Sequence, residues 1–217
     1  MKVARLTLLV GLIAARAAAT ITASCWDLAS EFNDSKNQDA ANPSGVWSYG
    51  WKKNLTGRFF LATTPLNELP SRSGWSSASG APADIRNVRP VTVTIGINRL
   101  PVGAGALDLA PGLNGEYAVV RFTAPIEGTY KVSGQFYAMD DNDIGTTTDV
   151  WILINDNKTG AFSGQVDYPG GAPVASFTSV QFPLKKGDTL DFEVGYGAKK
   201  DFFYDNTGLN AIIEKIK

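Results

Sequence analysis

The sequence has no histidine. That absence removes His-assisted nucleophilic triads, His-ligated zinc sites and imidazole acid–base chemistry together. Cysteine occurs once, at Cys25, so no internal disulfide can form and thiolate zinc sites go as well. There is no arginine-rich run or basic patch, and 20 basic residues stand against 21 acidic ones. Nucleic acid and polybasic contact with a membrane surface are therefore disfavoured as partners. Beyond the amino-terminal stretch, no apolar run is long enough to span a bilayer.

That opening stretch reads MKVARLTLLVGLIAARAAATITAS. Lys2 and Arg5 give a positive start, Leu6 to Ala15 an apolar segment, and Ala17 to Ala19 a small-residue cleavage site. This is the layout of a secretory signal peptide over residues 1–23, cut after Ala19 or Ala23. Lipidation of Cys25 is the weaker reading, because Thr22 stands where an acylation signal wants an aliphatic residue. Removal of the leader through Ala23 leaves 17 basic and 21 acidic residues, a net charge of −4. An exported chain without disulfides suits a bacterial envelope, periplasmic or extracellular.

Residues 24–217 read as one all-β domain. Val91, Val93, Ile95 and Ile97 alternate with polar residues or glycine, and so do Tyr130, Val132 and Phe136, then Leu190, Phe192 and Val194. Gly, Pro, Asn and Asp punctuate these runs at 125–128, 155–157, 169–171 and 186–188. Short alternating strands with such punctuation predict an antiparallel β-sandwich of jelly-roll type. The Ser-, Pro- and Gly-rich segment from Leu61 to Asp84 reads as a surface excursion carrying Trp75. Asp27 to Asn33 reads as a short helical turn or an edge strand.

Three groups of residues could carry chemistry. Asp140, Asp141 and Asp143, before Gly145, offer the hard oxygen ligands that calcium takes, and Asp205 could join them if the loops meet. The same acids also suit a polar hairpin loop. Trp47, Tyr49 and Trp51 recur at period two and so share one face of a strand. They either line the core or, with Trp75, present a stacking platform for sugar rings. Carboxylate catalysis of glycosidase type needs two acids across a cleft, and no glutamate pairing is recognisable. Glu193 alternates outward as a solvated charge would, and Lys52 with Lys53 marks a strand ending at the surface.

The stretches NPSGVWSYGW, LDLAPGLNGEYAVVRFTAPIEGTYKVSGQF, GTTTDVWILIN, GDTLDFEVGYG and YDNTGLNAII, taken in order, resemble a family of exported bacterial proteins associated with PEP-CTERM sorting tails. The resemblance runs from Asp27 to Ile213 and implies a jelly-roll β-sandwich like that of carbohydrate-binding modules. It favours a core role for Trp47 and Tyr49, leaving Trp51 and Trp75 as the better ligand candidates. Where members of the family often have His-Pro-Gly, this chain has Ala110-Pro111-Gly112, and no sorting tail follows Ile213.

The leading expectation is an exported, non-catalytic module that binds a polysaccharide or glycan surface, with calcium as a stabilising ion. A structural or adhesive surface protein is the alternative, and a carboxylate-dependent glycoside-active enzyme the third.

Overall fold

The computed structural model describes residues 24–33, 40–69, 72–77, 82–87, 93–95, 100–102, 105, 107–140 and 145–216. The expected leader over residues 1–23 lies outside them. The described chain enters through Cys25–Asp27 (β1), a single-turn helix Leu28–Glu31 (α1) and Trp47–Lys52 (β2). Phe59–Leu61 (β3), Thr64–Leu69 (β4), Arg72–Ser76 (β5) and Ala83–Asn87 (β6) follow. Val93–Ile95 (β7) and Leu100–Val102 (β8) pair as a two-stranded ribbon. Leu107–Ala110 (β9), Tyr117–Thr123 (β10), Gly128–Ala138 (β11) and Thr147–Ile154 (β12) come next. Asn157–Asp167 (β13), Val174–Leu184 (β14), Thr189–Gly195 (β15) and Thr207–Lys215 (β16) complete the domain.

Apart from β7 and β8, these strands form two antiparallel sheets. One runs β14-β11-β16-β9-β6-β5-β4, with β1 also on β16, and the other runs β13-β12-β15-β10-β2-β3. From β9 onward the chain crosses repeatedly between the sheets, the wiring of a jelly roll. The all-β sandwich expected from the alternating runs is what the chain forms.

The period-two runs supply the core. On β10, Ala118, Val120 and Phe122 face inward, opposite Val194, Phe192 and Leu190 on one side and Trp51, Tyr49 and Trp47 on the other. The facing sheet contributes Tyr130, Val132, Phe136, Leu209, Ala211 and Ile213. Each enclosed aromatic or branched side chain contributes about 1.5–3 kcal/mol. The helix α1 starts where Asp27 Oδ1 accepts from the Ala29 and Ser30 amides at 3.0 and 3.2 Å, and it buries Leu28 beneath it.

Two expectations need correcting. The segment from Leu61 to Asp84 is not a surface excursion, because its described parts form β4, β5 and the start of β6, three strands of one sheet. Short strands rich in Ser and Gly show no alternation, yet their backbone groups still pair in the ladder. The alternating stretch around Val93 and Ile95 belongs to the separate ribbon rather than to either main sheet.

Candidate functional site

The aromatic row of β2 divides between core and rim. Trp47 and Tyr49 are enclosed, Trp47 Nε1 donating to Glu31 Oε2 at 3.0 Å. Asn42 clamps the Tyr49 backbone, its Oδ1 accepting from Tyr49 N and its Nδ2 donating to Tyr49 O and Ala62 O. Trp51, third in the row, is half-buried and stacks on Phe60 of β3 with ring centroids 4.6 Å apart. Arg58 lies over the other member of that stack, 5.4 Å from the Phe60 ring centre. Trp75 does not face solvent as a ligand contact must. It is 7% exposed, within the core, and its Nε1 donates to Asn33 O at 2.7 Å.

Of the four acids considered for calcium, Asp141 and Asp143 lie outside the described residues. The loops carrying the other two do meet. Asp140 Oδ2 accepts from Asn206 N at 3.1 Å and Asn206 Nδ2 at 3.0 Å, while Thr146 Oγ1 donates to Asn206 O. Asp205 Oδ1 accepts from Thr147 N at 2.7 Å and Thr147 Oγ1 at 3.3 Å. Its Oδ2 is buried and has no hydrogen-bond partner. Burial pushes the Asp205 carboxyl up to about 6 even though the Thr147 bonds pull it down. No group of three or more acidic or cysteine side chains able to hold a metal occurs among the described residues. The orphaned Asp205 oxygen is a hard donor of the kind calcium takes.

The same end of the sandwich holds a concave feature. A cleft of about 140 Å³ is lined by Thr147, Thr148, Gln165, Asp167 and Lys199, with Val166 and Ala198 as its apolar wall. The loop from Ala198 continues into Phe202 and Phe203, whose rings pack 4.3 Å apart, and Phe203 is 59% exposed. Asp201 Oδ1 accepts from Phe203 N at 3.2 Å, and Lys200 and Tyr204 hold φ of 57° and 63°. Left-handed backbone at two non-glycine residues is unusual, and here it brackets the aromatic pair of half-buried Phe202 and exposed Phe203. Sequence reasoning passed over this pair. Its signal was two adjacent aromatics amid charges in KKDFFYD, where no alternation calls for apolar residues. At the opposite end a wider depression of about 450 Å³ lies among Glu127, Thr129, Pro183, Lys185 and Asp188 without an aromatic face.

The outer face of the β2-containing sheet carries a cluster of charges. Lys52 is fully enclosed, its Nζ 2.6 Å from Asp156 Oδ1, Asp191 Oδ2 and Glu193 Oε1. Arg121 donates to Asp191 Oδ1 and Oδ2 and to Asp156 Oδ1, each at 2.7 Å, with its guanidinium 4.3 Å from the Phe59 ring centre. Lys52 and Glu193 are thus not the surface charges their positions in the sequence suggested. Alternation sends them away from the core as expected, but Phe59, Arg121 and the partner charges cover them. Burial raises the Glu193 carboxyl to about 8, against the downward pull of Lys52. Beside this cluster Asp149 accepts from Trp151 Nε1, Tyr117 Oη and Gly197 N, pinning both aromatics.

No family model matches the sequence, and no curated protein matches it. Among solved structures, it is similar to a family 51 carbohydrate-binding module of Clostridium perfringens seen in complex with methyl-galactose. That match covers 72% of this chain and 95% of the module, at 12% identity and a TM-score of 0.37. A family 35 carbohydrate-binding module of Paenibacillus barcinonensis matches over 71% of this chain and 100% of its own, at 12% identity and a TM-score of 0.31. The insecticidal crystal protein Cry2Aa also matches, over 71% of this chain and 20% of its own, at 13% identity and a TM-score of 0.32. At this level of overlap each neighbour's ligand stays with that neighbour.

Proposed function

We propose that this protein is an exported, non-catalytic β-sandwich that binds carbohydrate through the loop end of the domain. The observation that carries the reading is the polar cleft of Thr147, Thr148, Gln165, Asp167 and Lys199, the last of which belongs to the loop that also bears the exposed Phe203. Hydroxyl, amide, carboxylate and ammonium groups suit the hydroxyls of a sugar, and an aromatic face suits its C–H surface. The half-buried Trp51–Phe60 stack with Arg58 is a second, flatter patch of the same chemistry at a sheet edge. In this reading calcium sits at the orphaned Asp205 oxygen with Asp140 and stiffens the loops that shape the cleft. Export rests on the leader-like opening stretch.

The test is retention of the mature chain on soluble and insoluble polysaccharides, in calcium and then in EDTA. Phe203→Ala is expected to lower glycan affinity at least tenfold, the loss of a stacking contact, while Trp51→Ala changes it less. Loss of retention in EDTA, restored by calcium, supports the metal. Retention that survives Phe203→Ala and falls with Trp51→Ala moves the site to the β2–β3 edge. Absence of binding to every glycan ends the carbohydrate reading and favours an adhesive or scaffold role.

A further inference from the structure

The enclosed charge cluster on the outer face plays no part in the proposed binding site. Lys52 belongs to β2, while Asp191 and Glu193 stand two apart on β15, with β10 running between the two strands. All three side chains are fully buried, with Lys52 Nζ 2.6 Å from an oxygen of each acid. Glu193 Oε2 is buried with no hydrogen-bond partner. A primary amine held against a carboxyl in a site closed to water is the setting in which amide condensation becomes favourable. The fold has already supplied the entropy of bringing the groups together, and hydrolysis lacks its water. A second carboxyl on the same amine can move the protons.

We propose that Lys52 and Asp191 condense into an amide cross-link between β2 and β15, with Glu193 as the catalytic residue that transfers protons. The Lys52 ammonium passes one proton to Glu193 Oε1, which relays it to Asp191 Oδ2, an oxygen lying against the same Nζ. The neutral Nζ attacks Asp191 Cγ and the C–N bond forms. Arg121 Nε, 2.7 Å from Asp191 Oδ1, holds the negative charge that develops on that oxygen. The Cγ–Oδ2 bond then breaks, and Oδ2 leaves as water with the relayed proton and a second one from the nitrogen. An ammonium and a carboxylate become an amide and one water, with nothing oxidised or reduced and Glu193 returned to its starting state.

The starting point is an ion pair. Burial alone would lower the Lys52 ammonium, but Asp191, Glu193 and Asp156 more than reverse this and hold it above its usual value. Burial raises the Glu193 carboxyl to about 8, so the reacting form is the fraction in which Glu193 is ionised, and transfer of the Lys52 proton to it sets the pace. The reaction removes two charges from a site where desolvation offsets most of their attraction. It also ties together two strands far apart in sequence.

The deciding measurement is the intact denatured mass of the full chain purified from expressing cells, its N-terminus fixed by sequencing, followed by tryptic mapping. The expected mass is lower than the sequence by one water, with a linked peptide pair containing Lys52 and Asp191. Asp191→Asn is expected to lose ammonia in place of water, and Glu193→Gln to keep the full mass. A full mass in the folded wild-type chain, persisting on long incubation, overturns the proposal and leaves the cluster an ion-pair bridge. That result is read on the wild type, so it stands whether or not the variants fold. A cross-link that still forms in Glu193→Gln overturns the role given to Glu193.

Discussion

Trp75 and Trp51 are the same residue type with opposite fates. Trp75 is enclosed and donates its indole N–H to Asn33 O, whereas Trp51 keeps part of its ring at the surface against Phe60. Trp75→Ala is expected to destabilise the domain by about 3–5 kcal/mol, the range for removing a buried aromatic and leaving a cavity. Trp51→Ala removes a stack contributing only about 0.5–1.5 kcal/mol beyond its buried area. Denaturant unfolding of the two variants checks the difference, and equal midpoints would contradict the burial described. Period two revealed that Trp47, Tyr49 and Trp51 share a face. It carried no information on where the facing sheet ends, which is what separates the third from the first two. Phe203 was equally silent, because exposure of a loop aromatic depends on the path of a loop with no periodicity.

At the scale of elements, the turn between β12 and β13 shows a local signal with a distant consequence. Asn155 and Asp156 adopt φ of 49° and 60°, the two-residue hairpin geometry that Asn and Asp tolerate. The turn was legible in the sequence. That it delivers Asp156 Oδ1 to both Lys52 and Arg121 was not, since those partners come from β2 and β10. Asp156→Gly keeps the backbone free to adopt the same turn and deletes only the carboxylate. It is expected to cost about 1–3 kcal/mol, that of charged hydrogen bonds at a partly exposed group. Asp156→Asn, which retains a hydrogen-bond acceptor, should recover part of that loss in thermal unfolding. A Gly variant as stable as the wild type would show that Asp191 and Glu193 satisfy Lys52 alone. The segment now seen as β4 to β6 escaped sequence reading for a related reason, its strands being fixed by neighbours in the ladder rather than by their own alternation.

For the molecule as a whole, the pH dependence of stability follows from three buried acids. Burial raises Asp205 to about 6 and Glu193 to about 8, and it raises Asp84 well above the usual range, with Asp108 adding to the effect. Each binds a proton in the folded state that the unfolded chain has released above about pH 4. Stability from these groups is therefore fully present below about pH 4 and is lost as pH rises through 6 and then 8. Asp156 and Glu116 are shifted down and act in the other direction, below pH 4. Between pH 5 and 9 the midpoint of thermal unfolding is thus expected to fall, with Asp205→Asn flattening the part between 5 and 7. A midpoint that rises across this interval would contradict the raised values. Calcium at Asp205 would favour its ionised form and should weaken the fall over the same range.

The sequence by itself determined the fold class. Strand alternation and turn chemistry are local facts, and a two-layer sandwich follows from them because each strand must bury one face. The lack of histidine and paired cysteine, a compositional fact, limits only the chemistry. The tertiary structure alone decided which aromatics reach the surface, which acids lose their water and which loops share an end. Those outcomes depend on the register and extent of the opposing sheet. Glu193 lies on the outward face that its strand position dictates, yet is buried there by residues of β2, β3 and β10 that no spacing along the chain places beside it.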